Sequence, residues 1–266
     1  MASPELKVKV LADLSQFNRS MKGVQSTLKS VGQSVTKVGV RVSAVATTAM
    51  AGLGVASVKA FDTQAKAIAQ IEAGLRSTNG QVGFTSKQLQ KMASDLQKTT
   101  LFGDEEILKD ATAQLLTFTN ITGDQFAKTQ VAVLDLATRL DGDLKSASIQ
   151  LGKALNDPVA NLSALSRSGI QFSKSQKDVI NSLVESGRLA DAQNIILEEL
   201  QKQYGGSAEA AAEAGAGGIT QLKNAIGDLQ EDFGRIMVDA LNPFIERMKE
   251  FFEMMTSQPD EVKKRF

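Results

Sequence analysis

The stretch that decides the fold runs from Leu14 to Ala56, LSQFNRSMKGVQSTLKSVGQSVTKVGVRVSAVATTAMAGLGVA. Apolar or small residues stand there at alternating steps of three and four: Leu14, Phe17, Met21, Val24, Leu28, Val31, Val35, Val38, Val42, Val45, Ala49, Gly52 and Ala56. A side-chain period of about 3.5 keeps one seam against a neighbour over many turns, so this stretch predicts a long coiled-coil-like helix. Leu14, Met21, Leu28, Val35 and Val42 take the a positions, and Phe17, Val24, Val31, Val38 and Val45 the d positions. β-Branched residues at d favour three or more strands, which predicts self-association as a trimer or higher. The flanking positions (Asn18, Ser20, Gln25, Thr27, Gly32, Ser34, Gly39) carry almost no charge, so ion pairs do not fix the partner. A helix folded back on its own chain is an equal alternative.

Before the seam, Leu6, Val8 and Val10 alternate with Lys7 and Lys9, a period of two that predicts a short extended arm over 1–13. Asp13 offers an N-cap oxygen with Gln16 placed as in a capping box, so the helix starts near Leu14. The stripe passes through Phe61, Ala65, Ile68 and Leu75 and ends at Thr78-Asn79-Gly80, giving a long helix over 14–80.

From Phe84 the pattern changes to shorter helices with clear punctuation, which predicts a helical domain over 84–204. Thr85 or Ser86 caps a helix through Lys98, and Gly103-Asp104-Glu105-Glu106 supplies a stop, a cap and first-turn acids for the next. Further starts fall at Asp124, Asp143, Pro158 and Ser173, and stops at Asp141-Gly142, Asn156, Gly169 and Gly187. About seven helices fit before Tyr204. The Ala/Gly-rich stretch 205–218 reads as a flexible or weakly helical linker. Ile219, Leu222, Ile226, Leu229, Phe233, Ile236 and Ala240 then repeat the three-four spacing, so 219–266 is expected to be a helix kinked at Pro243. The fold class expected is all-α.

Composition narrows the chemistry. Of 266 residues, 30 are basic and 30 acidic, so no net field draws the chain to nucleic acid or anionic membrane. Cys, His and Trp are absent, which removes disulfides, thiolate and imidazole metal sites, Cys nucleophiles and His-based triads. Lack of Cys fits a reducing compartment. The opening Met1-Ala2-Ser3-Pro4-Glu5 has no basic region followed by an apolar core, so no signal peptide is expected. Val42 to Val58 holds no charge other than at its neighbours, yet it is short and rich in Ala, Ser, Thr and Gly, whose membrane insertion is weakly driven. Gly52-Leu53-Gly54 and Gly215-Ala216-Gly217 follow no strand and lead to no Gly-Lys-Ser/Thr, so no nucleotide site is read. Adjacent acids at Glu105 and Glu106, and at Glu198 and Glu199, point about 100° apart on a helix and suit dipole capping better than a two-carboxylate cleft. The basic tail Lys263-Lys264-Arg265 reads as solvated. No catalytic, cofactor-binding or metal-ligating residue is assigned, and no small-molecule substrate is expected.

The segments Thr100-Leu101-Phe102-Gly103-Asp104-Glu105-Glu106-Ile107, Leu151-Gly152-Lys153-Ala154-Leu155-Asn156-Asp157-Pro158, Gly169-Ile170-Gln171-Phe172 and Tyr204-Gly205-Gly206 resemble the N-terminal region of tailed-phage tail tape measure proteins. The opening KVKVLADLSQF before a striped helix is similar as well, so the resemblance extends from about Leu6 to Pro243. It implies a structural protein that lies as several copies in the tail tube lumen, sets tail length, nucleates tube assembly, and leaves before DNA passes. Implied partners are the tail tube protein, tail assembly chaperones and the tail tip or baseplate hub, with the host cytoplasm as the place of assembly and membrane contact confined to ejection. Gly103, Asp104, Gly152, Asp157, Pro158 and Gly169 read as determinants of the fold within these motifs. Even one continuous helix of this length would reach only about 400 Å, which suits a short ruler or a segment of a longer one. A membrane-active DNA-ejection protein and a generic helical scaffold or adaptor are the alternatives.

Overall fold

The computed structural model describes residues 46–257, and every regular element among them is helical. The arm over 1–13, the seam residues from Leu14 to Val45 and the basic tail lie outside the described residues. Eleven α-helical segments follow in order: α1 Ala46–Ser77, α2 Ser86–Gln97, α3 Asp104–Glu106, α4 Ala113–Leu115, α5 Gly123–Arg139, α6 Leu144–Asn156, α7 Pro158–Arg167, α8 Lys174–Glu185, α9 Leu189–Tyr204, α10 Ser207–Glu213 and α11 Gly217–Ser257. A π-helical stretch, Ile107–Thr112, joins α3 to α4.

The described residues divide into two compact units, one built from Thr63–Ile226 and the other from 46–62 and 227–257. Residues on both sides of 84–204 contribute to the packing of the first unit. At its N-terminal edge α1 buries Ala67 and Ile71, and a Cβ on Gly74 would stand 3.1 Å from Leu116 Cδ1, so a small residue lets the two segments approach. Helix α1 stops where its turn residues dictate: Asn79 and Gly80 take φ of 52° and 69°, and Gly80 N–H donates to Leu75 O at 2.8 Å.

Most of the starts read from the sequence are capped as expected. Thr85, rather than Ser86, caps α2 in a reciprocal capping box with Gln88, and Ser173 does the same for α8 with Gln176. Asp143 accepts from Ser146 N–H at 2.9 Å to open α6, and Asp157 accepts from Ala160 N–H at 3.2 Å with Pro158 as the first residue of α7.

Helix α6 lies at the centre, packed against α5, α7 and the segment 104–115. Its Leu151, Ala154 and Leu155 are fully buried, as are Phe126 and Leu136 of α5 and Leu165 of α7. Helix α9 packs on α5 and α8. The π-helix buries Ile107, Leu108, Ala111 and Thr112. Thr112 is satisfied there: its hydroxyl donates to Gln130 Oε1 at 2.9 Å, and Gln130 Nε2 points to Met92 Sδ at 3.0 Å.

The stretch 205–218, expected as a flexible or weakly helical linker, is in part helical. It contains α10, which docks on α5 through buried Ala208 and Ala212. In the second unit α1 and α11 cross at backbone distance: a Cβ on Gly234 would stand 2.0 Å from the Ser57 carbonyl oxygen, and Ser57 is buried. Helix α11 continues through Pro243 and bends, as expected from a ring that removes a donor and crowds the preceding turn.

Candidate functional site

The motif residues come together as joints of the helical unit rather than as a chemical centre. Gly103 is the N-cap residue of α3. Asp104 follows it, buried, accepting from Gln64 Nε2 at 2.9 Å while its own N–H donates to Gln97 Oε1 at 2.6 Å. A Cβ on Gly152 would stand 2.2 Å from Phe118 Cε2, so the glycine admits an aromatic ring against α6. Gly169 takes φ of 89° to end α7, and Tyr204 donates its hydroxyl to Ser168 O at 2.9 Å beside it. Ser168 also bonds Gln150 through its hydroxyl, and Ile170 and Phe172 turn into the core.

The carboxylates weighed as chemistry hold structural positions. Glu105 and Glu106 lie in the first turn of α3. Burial, reinforced by Asp110 and Glu105, pushes the Glu106 carboxyl above its usual range. Hydrogen bonds from Gln203 and then Gln176 hold Glu199 below its usual range, while Glu198 is exposed. A groove of about 620 Å³ runs between the end of α2, α5, α9 and α10, lined by Val131, Leu197, Tyr204 and Ala208 with Lys128 and Glu198 at its border. Tyr204 carries the Arg139 guanidinium over its ring at 5.4 Å. Among the described residues no helix is long and apolar enough to cross a membrane.

Among the described residues, α11 carries a run of exposed large apolar side chains. Ile219, Leu222, Ile226, Leu229 and Ile236 are 71%, 61%, 47%, 61% and 38% exposed, with Phe233 half-buried. Isolated apolar residues on a surface are ordinary, but six at heptad spacing on one helix form a continuous stripe. Two polar residues on another face tie the root of this helix down: Gln221 Nε2 donates to Lys98 O at 3.1 Å and Asn224 Nδ2 to Leu101 O at 3.4 Å. Within the unit Thr63–Ile226 these bonds lie on a different side of the helix from Ile219, Leu222 and Ile226.

Two buried polar residues that organise the unit escape a reading by pattern. Gln193 Nε2 donates to Asn120 O at 2.9 Å and Leu155 O at 3.0 Å, joining the loop before α5 and the last turn of α6 to α9. Asp135 accepts the N–H groups of Gly206 and Ala208. The only sequence signal for Asp135 is its intrusion into the apolar run Val131-Ala132-Val133-Leu134-Asp135-Leu136-Ala137.

Residues 14–170 match the family model described as prophage tail length tape measure protein. No curated protein and no solved structure matches the chain.

Proposed function

The chain belongs to the prophage tail length tape measure family, a family of structural phage tail proteins, and from that premise we propose that it acts as the ruler and assembly nucleus of a tail tube. Its copies associate through the apolar seams as a trimer or higher, lie along the tube lumen, and leave before DNA passes. The helical unit docks with other tail components: the tail tube protein, the assembly chaperones, and the tip or baseplate hub.

The observation that carries this reading is the α11 stripe, an apolar seam at coiled-coil spacing left facing solvent by a helix that is anchored elsewhere. A rod that must be covered by sister chains or by a tube has such a surface. The experiment is removal of residues 14–41 in frame, four heptads of the N-terminal seam, followed by electron microscopy of assembled tails. At about 1.5 Å per helical residue the tails shorten by about 42 Å. Tails of unchanged length overturn the ruler role.

A further inference from the structure

Helix α10 cannot cap itself. Its N-cap residue is Gly206, which has no side chain to offer, and the Ser207 hydroxyl donates backward to Tyr204 O at 2.6 Å. The acceptors come instead from α5, where Asp135 Oδ2 takes Gly206 N–H at 3.2 Å and Oδ1 takes Ala208 N–H at 2.9 Å. Asp135 is only 8% exposed, set between the core residues Leu134 and Leu136. A buried carboxylate inside a helix opposes folding unless its oxygens are bonded, and these two bonds are what the structure gives it.

The rest of the attachment is slight. Ala208 and Ala212 are the buried apolar side chains of α10, and the root of α11 adds the two side-chain bonds from Gln221 and Asn224. Gly206 has a φ of 76°, a left-handed value that glycine takes without strain, and nothing lies within 4 Å of a would-be Cβ, while Gly205 before it closes α9 by donating its N–H to Gln201 O at 3.0 Å. At the other end a Cβ on Gly217 would stand 2.0 Å from Ala212 O, and Gly217 N–H donates to Ala214 O at 2.9 Å, so the corner between α10 and α11 is closely packed.

We propose that residues 205–226 form a strap, hinged at Gly206 and latched by Asp135, that detaches from the helical unit as one piece while the core around α6 stays folded. Detachment frees the root of α11 and opens the groove on the side lined by Gly205, Gly206, Ala208 and Glu209. Local opening of this kind draws on elements with few buried apolar contacts.

Hydrogen exchange on the full chain, read by mass spectrometry in low denaturant, tests it. In the native sequence, amides of 207–213 exchange through an opening that leaves 144–156 protected. Asp135→Ala speeds exchange of 207–213 about tenfold and leaves 144–156 unchanged. The strap is overturned if 207–213 and 144–156 exchange together with the same denaturant dependence in the native sequence, or if Asp135→Ala folds and leaves 207–213 unaltered. Should Asp135→Ala fail to fold, the native-sequence comparison decides.

Discussion

Gly152 and Glu106 show opposite ways in which one side chain sets the stability of the helical unit. At Gly152 the Phe118 ring occupies the space a methyl group would need, with ring carbons 2.2 and 2.3 Å from the Cβ position. Gly152→Ala therefore overpacks a buried contact and is expected to destabilise the protein by about 1–3 kcal/mol, despite the better helix propensity of alanine. Denaturant titration checks this, and a companion Phe118→Leu substitution should recover part of the loss; an unchanged midpoint for Gly152→Ala would remove the packing argument. Glu106 carries a carboxyl raised by burial and by Asp110 and Glu105. A carboxyl raised in the folded state contributes stability that is fully present below its unfolded value and is lost as pH rises through the folded value. At neutral pH the ionised group opposes folding, so Glu106→Gln should stabilise, within about 0.5 kcal/mol for a partly exposed position, and the gain should shrink on acidification. A constant difference across pH would contradict this.

Among elements, four helix starts were legible because each is written within four residues. Thr85 with Gln88, Ser173 with Gln176, Asp143, and Asp157 before Pro158 are local signals that tertiary packing did not override. Two elements were not legible, for one physical reason. The π-helix over Ile107–Thr112 is coupled to Gln130, and α10 is capped by Asp135, so both depend on partners 18 and 71 to 73 residues away. An Ala/Gly-rich stretch looks like a linker until a carboxylate from another helix completes its first turn. Gln193 is distinguished from a surface residue only by its burial, and Asp135 by its burial and its place in an apolar run. The three-four spacing of the α11 stripe stands in the sequence itself, and it yields an element-scale prediction. Because Ile226 and Leu229 are 47% and 61% exposed, Ile226→Asp with Leu229→Asp should leave helicity unchanged by circular dichroism. Unpaired charges in a buried seam are costly, so light scattering should show self-association weakened at least about tenfold. Equal association before and after substitution would show that the stripe is no seam.

At the scale of the whole molecule the ruler reading separates parts of the chain by what their length does. The unit Thr63–Ile226 folds short helices back on one another, so residues added to its loops change its surface and not its reach. Residues added to α11, a single element of 41 residues, extend a rod. Duplicating residues 219–232 directly after Asp232 repeats two heptads and keeps every seam position in register. At about 1.5 Å per residue this should lengthen assembled tails by about 21 Å. The same fourteen residues' worth of flexible Gly/Ser chain, placed between Asp141 and Gly142 in the loop joining α5 to α6, should leave tail length unchanged, since that turn is exposed and outside every seam. Electron microscopy of the two variants side by side distinguishes helical reach from residue number. Equal lengthening by both would mean that the tail counts residues, and lengthening by neither would mean that α11 lies outside the measuring part of the chain.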